Sequence, residues 1–240
     1  MLNNFFKDKR INYKDFLLIL SSWYFILFSN YFLKEREFAA LLYIGEFFSF
    51  ILTTLGYMLF LFLAYLYFQI LYDFSLKDLG FKFNFKKLNL KALLAGLILL
   101  TVGVILININ AAQINIQNFK PLYIINDLSL IIRALPVLAA VFLAAFFQAA
   151  ALQFLFNKIV FSLFDLYLPS IIASLFTGLF APILVLQFEP GFILIVFISV
   201  IISNYFYQES DYNLLGAVVF YASFLTLYIS FIYGFNFLIF

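Results

Sequence analysis

The residues best placed to do chemistry are the amides of one apolar stretch. Phe146 to Lys158 reads FFQAAALQFLFNK and sets Gln148, Gln153 and Asn157 among alanines and aromatics. A carboxamide donates and accepts hydrogen bonds but cannot take up a proton near neutrality, so these side chains can bind or bridge and cannot act as bases. The chain has no His and no Cys. That removes the usual proton shuttle, the commonest metal ligand and the thiol nucleophile together. Serines are plentiful in the apolar segments (Ser22, Ser174, Ser199, Ser203, Ser223), but the only lysine in such a segment is Lys158, at its end. A serine nucleophile needs an adjacent His or Lys base. A zinc site needs three or four converging ligands, and the apolar interior offers only Glu46. No metal and no cofactor is implied.

At about 100° per residue, Ala140, Ala144, Gln148 and Ala151 share one side of a helix, while Ala149, Gln153 and Asn157 follow one another at i, i+4 along another. The first set predicts a small-residue seam with one polar tie, the second an amide ladder. Inside lipid such amides bridge helices, each contributing about 0.5 to 2 kcal/mol.

The elements that must carry these residues are apolar segments separated by short polar ones. Hydrophobic residues make up 66% of the 240 positions and charged residues 11%, and the mean hydropathy is +1.09. The expected fold is therefore an all-α integral membrane protein with about seven transmembrane helices, possibly eight, in a single domain over 1–240. The expected spans are 16–33, 38–72, 92–109, 128–160, 168–188, 190–208 and 213–233. The first follows a basic start and is read as an uncleaved helix. The second is read as one long tilted helix with Glu46 near its outer end. Gly96 and Gly103 lie on one face of the third, which permits close packing. Pro136 kinks or starts the fourth, and Arg133 near its outer end can snorkel. The polar segment from Asn108 to Asp127 reads as a solvated external loop.

Charge gives the orientation. With the N-terminus inside, ten positive side chains (Lys7, Lys9, Arg10, Lys14, Lys77, Lys82, Lys86, Lys87, Lys91 and Lys158) face the cytoplasm, against four outside (Lys34, Arg36, Lys120, Arg133). The last two segments carry no Lys or Arg, so their direction follows from alternation alone. The expected setting is a bacterial inner (cytoplasmic) membrane. A net charge of +2, with basic residues at segment ends, gives no sign of a nucleic-acid partner. Membrane lipid and a membrane-protein partner or hetero-oligomer are the expected contacts.

The order and spacing of these segments resemble the CPBP family (CAAX proteases and bacteriocin-processing enzymes) over about Ser75 to Leu225. Ser75-Leu76-Lys77-Asp78-Leu79-Gly80-Phe81 looks like the stretch preceding that family's third helix, and Asn213-Leu214-Leu215 like its Asn-Leu-Trp lead-in. The family carries Glu-Glu-x-x-x-Arg, then Phe-x-x-x-His, then His-x-x-x-Asn or Asp. Here the first motif falls on Gln148, Ala149 and Gln153, the second on Phe176 and Phe180, and the third on Tyr221 and Leu225. The resemblance implies a bundle whose carboxylate would activate water, and every ionisable group of that machinery is replaced. The expectation is a catalytically inactive CPBP-like protein that serves as a binding or scaffold subunit, with Gln148, Gln153 and Asn157 as helix-tying or partner-binding residues. The alternatives are the membrane subunit of a small-solute transport system and an active intramembrane peptidase.

Overall fold

The computed structural model describes residues 12–35, 45–82, 90–99, 128–186, 188 and 190–232. Among these residues the chain forms seven helices and no strand. They are α1 Tyr13–Glu35, α2 Gly45–Tyr72, α3 Leu90–Leu99, α4 from Leu128 to Phe164, α5 Ser170–Val185, α6 Pro190–Glu209 and α7 Leu214–Ile232. Two stretches, Ile51–Tyr72 in α2 and Ala139–Phe164 in α4, are long and apolar enough to cross a membrane. Gly103, the 108–127 segment and the side chains of Glu46 and Arg133 lie outside the described residues.

The helix ends follow local chemistry. Asn12 and Asp15 form a reciprocal cap on α1: Asn12 Oδ1 accepts from the Lys14 N–H (2.8 Å), and Asp15 Oδ2 accepts from the Asn12 N–H (2.7 Å). Pro169 stands just before α5, where its missing N–H costs nothing. Leu186, at φ 55, ends that helix in the left-handed region. At 16 residues, α5 is about 24 Å long, shorter than the roughly 30 Å of a hydrocarbon core. Its last carbonyls are supplied with donors from α1: Trp23 Nε1 donates to the Leu184 oxygen (2.7 Å) and the Tyr24 hydroxyl to that of Ile183 (3.2 Å). Trp23 is fully buried, stacked on Tyr57 of α2 at 5.2 Å.

α4 is the central column. It packs against α2, α5, α6 and α7, and every residue from 148 to 162 is buried, so this part has no lipid-facing or water-facing side. Helical geometry continues through Pro136, so the helix does not start there. The departure from α geometry comes later, at Phe154–Phe161, which is a π-helix. The predicted seam is also turned on the helix. Ala140 is exposed and Ala144 half-buried, whereas Val141, Ala145, Gln148, Ala149 and Leu152 face inward.

Candidate functional site

The amides singled out in the sequence all lie inside the bundle. Gln148 donates through Nε2 to Thr54 Oγ1 of α2 at 2.8 Å, one turn from Tyr57. Asn157 donates through Nδ2 to Gln153 Oε1 at 2.9 Å, and its Oδ1 accepts at long range, 3.5 Å, from the Ser203 hydroxyl of α6. α4 is thus tied to α2 at one level and to α6 at another. The two ties are separated by the passage from α to π geometry, a type of irregularity frequent at functional sites. Ala149 is fully buried beside them.

The ladder is only partly satisfied. Gln153 Nε2 and both polar atoms of Asn204, a fully buried residue next to Ser203, have no hydrogen-bond partner. The Tyr207 hydroxyl lies beside that of Ser162 without hydrogen-bond geometry, while Ser162 itself donates to the Asn157 carbonyl (3.2 Å). Asn204 was missed in the sequence. The signal was there: in VIISNYFY, Val200, Ser203, Asn204 and Tyr207 recur at i, i+3, i+4, i+7 and are all fully buried.

The other motif positions divide. Tyr221 of α7 is buried near Tyr57 and Ser199, and Leu225 is half-buried against the core. Phe176 and Phe180 face the other way. They are 42% and 44% exposed, with ring centroids 5.7 and 5.6 Å from Phe164. The inward face of α5 is made by Ala173, Ser174, Thr177, Gly178, Ala181 and Pro182. Gln148 and Tyr221 thus belong to the interior, and Phe180 does not join them.

At one end of the bundle the chain builds a second cluster that the sequence hinted at in two separate places. Residues 76–79 make a turn that closes as a Schellman motif: the Phe81 N–H bonds the Leu76 carbonyl (2.9 Å) and the Gly80 N–H that of Lys77 (3.0 Å), with Gly80 at φ +96, a conformation that favours glycine. The turn is clipped to the start of α7. The Leu214 N–H donates to the Gly80 carbonyl (2.8 Å), and Asn213 pairs with the Lys82 backbone in both directions (2.8 and 3.2 Å) while capping Leu215 (3.1 Å). The α6–α7 turn therefore lies on the same side of the bundle as residues 73–82.

Electrostatics in this cluster favours carboxylates. The Ser75 hydroxyl and N–H both donate to Asp78 (2.5 and 2.8 Å) and hold its carboxyl below the usual range; the nearby Lys158 adds to this, and burial opposes it. Burial acts to raise Asp15, but hydrogen bonds from the Asn12 N–H and from the Tyr67 and Tyr72 hydroxyls outweigh it and leave the carboxyl lowered. Asp15 thereby joins the start of α1 to the end of α2.

Chemically, the interior can hold helices together and offer spare amide donors and an acceptor to something small and polar. Among the described residues, no three His, Cys, Asp or Glu side chains come together. No family model matches the chain, and no curated protein or solved structure is similar to it.

Proposed function

We propose that this chain is a polytopic membrane protein acting as a non-catalytic binding or scaffold subunit for a membrane partner. The observation that carries the membrane part of this reading is an inversion of the usual inside and outside. Leu55, Leu59, Phe62 and Leu63 of α2 and Ile171, Leu175, Leu179 and Ile183 of α5 are exposed, whereas Gln148, Gln153, Asn157, Ser199, Ser203 and Asn204 are buried. Water would penalise that arrangement at every exposed turn, and hydrocarbon would not. In this reading α2, α5, α6 and α7 pack around α4, with the basic loop, the α1 start and the α6–α7 turn on the cytoplasmic face of an inner membrane.

The absence of catalysis rests on side-chain chemistry: amides and an alanine stand where a CPBP-like enzyme would need carboxylates and an arginine. The outward-facing Phe176 and Phe180 add that the second motif's positions are not part of any interior centre. Transport is disfavoured because the interior around α4 is filled by the buried rings of Phe154, Phe156, Phe161, Tyr207 and Phe220.

The natural absence of cysteine makes the test direct. Single Lys77→Cys and Glu209→Cys variants in intact cells should both resist an impermeant maleimide and react after the membrane is opened. Labelling of the two from opposite faces would break the topology. Purified protein should leave prenylated and transmembrane peptides uncut, and cleavage lost in Gln148→Ala or Gln153→Ala would establish a peptidase instead.

A further inference from the structure

Between α2, the 76–81 turn and α4 lies a cavity of about 170 Å³. Its walls are side chains such as Leu61, Leu76, Leu79, Phe81, Phe147 and Ala150, with Tyr65 the one lining residue that has a polar side-chain atom. It is not a packing defect sealed in the core, because Leu76 and Phe147 are both exposed on its rim. A dry apolar space of about 150 Å³ accommodates a six-carbon ring, so this one is the right size for several methylenes of an acyl chain. One wall is the clipped turn described above, whose backbone is held to α7 by the Gly80 carbonyl and by Asn213. The groove is therefore preformed.

Charge indicates which lipid. Lys77 directly follows the lining residue Leu76, Lys82 directly follows Phe81, and both are exposed. Lys91, also exposed, starts the next helix one residue in. Within residues 73–82 two residues are acidic. Asp78 is taken up by the Ser75 hydroxyl and N–H, and Asp73 is exposed at the end of α2. The loop thus offers ammonium groups beside an apolar slot at one face of the bundle, the combination that selects an anionic headgroup with its tail inserted.

We propose that this groove is a binding site for one anionic phospholipid, its acyl chain against Leu61, Leu76 and Phe147 and its phosphate held by Lys77 and Lys82. The proposal rests on the membrane reading above, and its test separates the two. The protein, purified in mild detergent, is analysed by native mass spectrometry with phosphatidylglycerol or phosphatidylcholine of identical acyl chains. One phosphatidylglycerol should be retained under activation that strips phosphatidylcholine. The Lys77→Gln/Lys82→Gln pair should weaken phosphatidylglycerol retention about 25-fold, each lysine contributing about a factor of five. Leu76→Trp, on the exposed rim, should remove the bound lipid while helicity by circular dichroism is unchanged. Should that variant lose helicity, Leu61→Trp serves the same purpose. Equal retention of the two lipids, or retention insensitive to both sets of variants, would overturn the site. A dimer formed in place of the lipid adduct would do the same and would assign the groove to a second copy. A chain that stays monodisperse without detergent would instead overturn the membrane reading.

Discussion

Among single side chains, the buried amides differ in what they have found to bond, and that difference fixes what each is worth. Gln148 has a partner on another helix, Thr54 Oγ1 at 2.8 Å. Interhelical side-chain hydrogen bonds in membranes average about 0.6 kcal/mol and reach about 1.7, because the separated helices also find partners. A double-mutant cycle of Gln148→Leu and Thr54→Val, read by unfolding in detergent, is expected to give a coupling in that range, and additive single effects would mean the bond carries nothing. Asn204 gives the opposite expectation. Both its amide atoms are buried without partners, so the folded state already bears their desolvation. Asn204→Leu should leave the unfolding midpoint unchanged or raise it. A loss above about 1 kcal/mol, the usual net worth of a hydrogen bond, would show that the amide holds something when the protein is folded. Gln153 stands between these cases, with its oxygen bonded to Asn157 and its nitrogen spare.

Among the helices and loops, close approach and a clipped turn decide the arrangement. A Cβ placed on Gly96 of α3 would lie 2.5 Å from the Phe220 carbonyl oxygen of α7 and would also collide with the Ser223 hydroxyl. The hydroxyl can rotate away, but the carbonyl belongs to the helix backbone. Gly96→Ala must therefore push α3 off α7, with a cost of about 1 to 3 kcal/mol, the usual range for overpacking. Thermal unfolding should show the loss, while Gly191→Ala, with nothing within 4 Å, should be neutral. The clipped turn should respond to acid. Asp78 and Asp15 both have folded carboxyl pKa values below their unfolded ones. Between the two values the unfolded chain binds more protons, so the stabilisation is complete above the unfolded value of about 3.9 and is lost as pH falls toward the folded one. The unfolding midpoint should hold between about pH 6 and 5 and begin to fall below about pH 4. Asp78→Asn should flatten part of that fall, and an unchanged acid limb would mean the Ser75–Asp78 bonds are not maintained in solution.

Taken as a whole, the molecule was legible in the sequence where composition alone decides, and obscure where direction matters. Among the described residues each of the seven apolar segments carries a helix, Gly96 marked a close contact, and Gln148, Gln153 and Asn157 turned inward. In a chain this uniformly apolar, however, the hydrophobic period barely distinguishes one side of a helix from another. Small and polar residues are then the inward signal, and Ala173, Ser174, Thr177 and Gly178 of α5 carry it in preference to Phe176 and Phe180. The π-helix and the pairing of Asn213 with Lys82 could not be read in advance: hydrophobic period gives no signal for the one in a segment buried on every side, and the other joins residues 131 apart. The same inversion of apolar and polar surfaces yields the most decisive prediction. Leu59 lies midway along α2 and is 50% exposed. If its surroundings were water, Leu59→Lys would be harmless or would improve solubility, as for other exposed apolar residues. If they are hydrocarbon, the charge costs about 2.5 to 3.5 kcal/mol at the centre of a span. We expect Leu59→Lys to lower the amount of protein recovered in membranes and its unfolding midpoint, and Leu59→Phe to leave both unchanged. A Lys variant that accumulates normally and gains solubility would place this surface in water, and the reason for burying six amides and hydroxyls around α4 would then have to be sought in a different fold environment.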